Sequence, residues 1–149
     1  MQQDTKVQLS VDLVRVATCG EGGFFADLPQ TVVEEAARRY CQFIRLVQLY
    51  PHEEISPAKD IDEMWHLHML HPIAYYEDCV ANFGEILDHD GGFGSTSAEE
   101  WRELIRIFEN TAGLWRREYG EEYGAAEAAA KCIKKCAKCA VKCRTACKK

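Results

Sequence analysis

Between Gln30 and Tyr50 the apolar residues Val33, Ala37, Tyr40, Ile44 and Val47 recur at intervals of three and four, and Pro51 follows at once. That spacing predicts an amphipathic helix with one face to bury, ended by the proline. No segment alternates apolar and polar residues strongly enough to build a sheet for that face to lie against. The face must therefore be covered by other helices.

The chain supplies them. Residues 7–17 (VQLSVDLVRVA) read as a short helix, and residues 19–29 as a glycine-rich turn. A third helix is expected with Ser56 as its cap and Pro57 in its first turn, where a missing N–H costs nothing. It runs to about Leu70 and must stop before Pro72. A fourth, IAYYEDCVANFG, ends at Gly84, and DHDGGFGSTS is a loop. Ser97 and Glu100 form a capping box for a long helix whose buried stripe is Trp101, Leu104, Ile105 and Phe108, continued by Leu114, Trp115 and Tyr119. The fold class is all-α: a compact helical domain over residues 1–130, with Tyr40, Phe43, Trp65, Trp101 and Phe108 in its core, followed by a cysteine- and lysine-rich amphipathic helix over residues 131–149.

Charge divides the chain at the same place. The net charge of -6 is the sum of an acidic body, with 10 Lys or Arg against 24 acids in residues 1–130, and a tail holding eight Lys or Arg and no acid. A tail of that density can meet anionic lipid, nucleic acid or the acidic body itself. A partner protein or an anionic surface is the expected target, and nucleic acid is not. No stretch approaches the roughly 18 apolar residues of a membrane helix. The start, MQQDTKVQLSVDLVRVA, has no basic segment leading into an unbroken apolar run. A soluble, cytoplasmic protein with reduced cysteines is the expectation.

All five histidines lie between His52 and His89, three of them in DIDEMWHLHMLHP, residues 60–72. On a helix, residues four apart share a face and residues two apart do not. Asp62 and His66 therefore lie together, while His68 falls on another face with Ile61, Met64 and Trp65. Cys79 on the returning fourth helix and His89 in the loop beyond it complete a zinc set of one carboxylate, two imidazoles and one thiolate, and His68 is a further candidate ligand. The structural alternative is that His66 and His68 are half-buried and bonded to backbone or to Asp62. A nucleophile–base pair of Cys79 with a histidine, or a zinc with an open position for water, is the catalytic alternative. No hydrolase motif and no phosphate-binding loop accompanies it.

The string from Asp60 to Asp90 resembles the core signature of the glycine-rich domain-containing protein (GRDP-like) family, a D-x3-W-H-x-H block followed by Pro, Tyr, Asp-Cys, Gly and Leu. The matching residues are Asp62, Trp65, His66, His68, Pro72, Tyr75, Asp78, Cys79, Gly84 and Leu87. SVDLV at residues 10–14 is similar to the family's N-terminal part, and the resemblance spans residues 8–120. It implies no agreed enzymatic activity; the family's larger plant members are linked to stress and developmental responses. The glycine-rich tail that names the family is replaced here by cysteine and lysine, so any role of that tail does not transfer.

That replacement, KCIKKCAKCAVKCRTACKK, places Cys132, Cys136, Cys139, Cys143 and Cys147 at steps of 4, 3, 4 and 4. At about 100° per residue all five thiols share one face of a helix, roughly 22 Å long. Cysteine as a mere small apolar residue would carry a needless redox liability. Disulfides do not suit neighbours on one helix in a reducing compartment. Pairs of thiolates suit linear Cu(I), whereas zinc would want four and a second helix. The stripe is similar to the cysteine-lined helices of copper-storage bundles, and acylation of the string is the membrane alternative. The leading expectation is a small metal-binding protein, with zinc in the body and Cu(I) or zinc in the tail. An interaction module acting through its basic tail is the second reading, and a zinc-dependent enzyme the third.

Overall fold

The computed structural model of the protein describes residues 7–19 and 23–124. It contains α1 (Leu13–Thr18), a single 3-10 turn (Gly23–Phe25), α2 (Gln30–Leu49), α3 (Lys59–Met69), α4 (Pro72–Phe83) and α5 (Ala98–Tyr119), with no strand among the described residues. The all-α class expected from periodicity is the class observed. The described residues divide into two compact units, one of those up to His52 with Asp60–Asp88, the other of Glu53–Lys59 with residues 89–124.

In the first unit α1 begins later than residues 7–17 suggested. The Asp12 carboxylate accepts the Arg15 N–H at 3.0 Å, which sets the helix start at Leu13. The buried face of α2 is Val33, Ala36, Tyr40, Phe43, Ile44 and Leu46. It is rotated slightly from the predicted stripe, leaving Ala37 and Val47 half-buried. The helix stops at Leu49 because the residue before Pro51 is pushed out of the helical region. α3 buries Ile61, Met64, Trp65, Leu67 and His68. The proline at position 72 then sits at the start of α4, where its missing N–H is harmless. Gly84 closes α4 with φ 78°, a left-handed conformation that favours glycine.

The second unit corrects two expectations. Ser56 does not cap α3, which begins only at Lys59. Its N–H donates to Thr111 Oγ1 at 3.0 Å and its carbonyl accepts the Tyr123 hydroxyl at 2.7 Å, so both backbone groups are committed to side chains far along the chain. Nor is Trp101 a core residue; it is half-buried, as are Leu104 and Ile105. The buried stripe of α5 lies further on, at Ile107, Phe108, Thr111, Leu114 and Trp115. Tyr123 returns against it, with ring centroids 5.3 Å from Phe108 and 4.9 Å from Trp115. Leu104 meets the preceding loop instead, where a Cβ on Gly94 would lie 2.5 Å from Leu104 Cδ2. Ser97 caps α5 as predicted, accepting the Glu100 N–H at 3.1 Å. The return half of the box is shifted by one residue: Glu100 Oε2 accepts from the N–H and hydroxyl of Thr96.

Among the described residues no helix is long and apolar enough to cross a membrane. The expected 131–149 helix lies outside the described residues.

Candidate functional site

The helical register of α3 sends its two neighbouring histidines to opposite fates. His66 points outward, with its Nε2 3.6 Å from Asp62 Oδ1 one turn earlier. His68 is 1% exposed and lies inside the first unit. This is the division that the helical spacing of WHLH predicts.

His68 bridges two elements. Its Nδ1 is 2.9 Å from the Tyr40 hydroxyl on α2, and its Nε2 is 2.9 Å from Asp78 Oδ2 on α4. A carboxylate only accepts, so Nε2 carries the hydrogen; in the neutral ring Nδ1 then accepts from Tyr40 O–H. Asp78 in turn receives the Ser10 N–H on both oxygens at 3.0 Å, drawing the segment before α1 into the same network. Burial pushes the Tyr40 hydroxyl well up from its ordinary range, which keeps it a donor at neutral pH. Three helices thus meet at one imidazole, and a fourth segment joins them through Asp78.

A second buried chain runs beside it. Trp65 Nε1–H donates to the Tyr75 hydroxyl at 2.9 Å, and Tyr75 donates to the Leu87 carbonyl. The Tyr75 ring stands edge-on to His68 with centroids 5.0 Å apart. Tyr40, Ile44, His68, Tyr75, Asp78, Cys79, Asn82, Phe83 and Leu87 enclose a cavity with room for about one water molecule.

Burial also holds His68 below the usual histidine range, although Asp78 beside it pulls the other way. The folded protein therefore refuses a proton that the unfolded chain takes up as pH falls through about 6.5. This contribution to stability is complete above about pH 6.5 and is lost below it, by up to about 1.4 kcal/mol per pH unit for one proton. Urea midpoints should fall as pH is lowered from about 7.5 to about 5. A midpoint that is flat or rises over that range would contradict a neutral, buried His68.

Asp62 and His66 are together on the outer side of α3. Cys79 is 3% exposed, on the inward side of α4 in the cavity wall. Among the described residues neither Cys79 nor His68 belongs to any group of three potential ligands close enough to share an ion. His89 belongs to the second unit. Cys132, Cys136, Cys139, Cys143 and Cys147 lie outside the described residues. From the sequence Tyr40 reads only as a core residue and Ser10 only as the start of the SVDLV resemblance. Asp78 reads from the sequence only as a signature position, yet it stands ten residues from His68 across the Pro72 reversal.

The signature residues Trp65, His68, Tyr75, Asp78 and Leu87 thus all take part in two adjoining hydrogen-bond chains, and Gly84 ends the helix that carries Tyr75 and Asp78. Residues 28–78 match the family model described as glycine-rich domain-containing protein-like, a span that takes in Tyr40, His68 and Asp78. Two curated proteins of Arabidopsis thaliana are similar to this chain. Glycine-rich domain-containing protein 1 is 30% identical over 92 residues, which cover 59% of this chain and 11% of that protein. Glycine-rich domain-containing protein 2 is 32% identical over 92 residues, with the same shares. The chain therefore matches only about a ninth of the length of these relatives. No solved structure matches it.

Proposed function

With residues 28–78 a glycine-rich domain-containing protein-like segment, we propose that the chain is a metal-binding protein in which this segment is a non-catalytic scaffold. The observation that carries the reading is the split between His66 and His68. The imidazole in the network is spent on joining α2, α3 and α4. The one on the surface keeps a carboxylate beside it at i, i+4 spacing. That pair supplies one nitrogen and one oxygen of the four donors that zinc prefers.

The larger capacity belongs to the tail, where five cysteines recur at helical steps among eight basic residues. Thiolate pairs select soft Cu(I), and nearby lysines lower thiol pKa values. A reducing, cytoplasmic setting is the one in which these thiols stay available.

Reduced full-length protein should take up Cu(I) and hold it against a weak chelator, as read by elemental analysis. Changing Cys136 and Cys139 together to Ser removes the centre of the stripe and should cut that capacity sharply. Asp62→Ala with His66→Ala should instead weaken zinc binding while leaving copper uptake alone. Equal copper uptake by the double serine variant and the parent would sink the tail reading. The charge division favours one second reading, a tail that docks on an anionic surface. It predicts background metal uptake and vesicle binding that fades as salt is raised.

A further inference from the structure

α4 buries Tyr75, Asp78 and Cys79 and presents a different kind of surface on its other side. Ile73 is 75% exposed, Tyr76 55% and Val80 40%. At about 100° per residue these three fall within roughly 60° of one another, a continuous apolar stripe about two turns long. Leu70 before the helix and Ile86 beyond it are also exposed, extending the apolar surface at both ends of the sequence that forms it. Scattered exposed apolar residues are ordinary, but a periodic row on one helix is an interaction surface in form.

The charge around it is one-sided. Between Lys59 and Arg102 there is no lysine or arginine, and the same stretch holds ten acids. Glu77 lies on α4 beside the stripe, and Glu85 and Asp88 follow its C-terminus; all three are exposed. The last carbonyls of α4 add partial negative charge at that end. An anionic membrane would be repelled by such a rim. A second copy presenting the same face would bring like charges together.

We infer that this face of α4 docks a basic amphipathic helix of a partner protein. Apolar side chains of the partner at i, i+3 or i+4, and i+7 lie along Ile73, Tyr76 and Val80. Its lysines or arginines reach Glu77, Glu85 and the α4 C-terminus. The apolar row supplies affinity, and the acidic rim supplies orientation and rejects acidic helices.

The test uses the full chain and three labelled peptides of equal length: one with leucines at i, i+3, i+4 and i+7 among lysines, a scrambled isomer, and one with Glu in place of Lys. Fluorescence anisotropy should show the periodic basic peptide binding at least about tenfold more tightly than either control. Ile73→Asp should reduce that binding by about tenfold or more, with an unchanged circular dichroism spectrum because the side chain is exposed. Val32→Asp, at an exposed apolar residue of α2, should leave it unchanged. Equal binding of the scrambled isomer would overturn the proposal, as would unaltered affinity in Ile73→Asp. A concentration-dependent dimer abolished by Ile73→Asp would assign the face to a second copy instead. Adsorption to phosphatidylserine vesicles lost in the same variant would assign it to a membrane.

Discussion

Replacing His68 by alanine is expected to destabilise the protein by about 3–5 kcal/mol, the cost of removing one partner from a buried, hydrogen-bonded network. The loss is compound. Asp78 keeps its bond from Ser10 but loses the imidazole N–H, while Tyr40 loses the acceptor of its hydroxyl. The comparison residue is two positions away. His66→Ala removes an exposed side chain and should change stability by no more than about 0.5 kcal/mol. Urea denaturation of both variants at pH 7 separates the two histidines in one experiment. Similar midpoints would mean that the network contributes little and that its geometry is incidental.

The second large effect is expected at Tyr123, near the end of the described chain and 1% exposed. Its hydroxyl donates to the Ser56 carbonyl and accepts the Ala58 N–H at 3.0 Å, while its ring lies against Phe108 and Trp115. Tyr123→Ala deletes ring and hydroxyl together and should cost about 3–5 kcal/mol. Tyr123→Phe keeps the ring and strands two backbone groups, at about 1–3 kcal/mol. Because whole-protein stabilities lie near 5–15 kcal/mol, the alanine variant should melt far below the parent in a thermal scan. Phenylalanine and alanine variants of equal stability would show that the hydroxyl, not the ring, carries the contact.

What could be read from the sequence was what local geometry determines. The period of α2, the break at Pro72, the stop at Gly84 and the Ser97 cap depend on residues within a turn or two of one another, and all four are observed. The opposite facing of His66 and His68 follows from the same geometry. Their partners do not. Tyr40 is 28 residues from His68, and no local rule couples a tyrosine on one helix to an imidazole on another. Ser56 looked like a cap because its neighbours suit one; Thr111 and Tyr123, more than 50 residues away, take its backbone groups first. Trp101 shares its helix face with residues that do become buried, and only the return of Tyr123 shows which part of that long face is covered. The chemistry of Cys79 suggests a place with Asp62 and His66, whereas its side of α4 faces the cavity.

The clasp between Ser10 and Asp78 joins positions 68 residues apart. During synthesis at about 5–20 residues per second, Asp78 is added roughly 3–14 seconds after Ser10. For that interval the segment ahead of α1 has been made but its acceptor has not, and His68 likewise exists before the carboxylate that fixes its tautomer. Vectorial growth therefore imposes an order on the first unit: α2 and α3 can pair as they emerge, whereas the N-terminal arm must wait until α4 has cleared the ribosome.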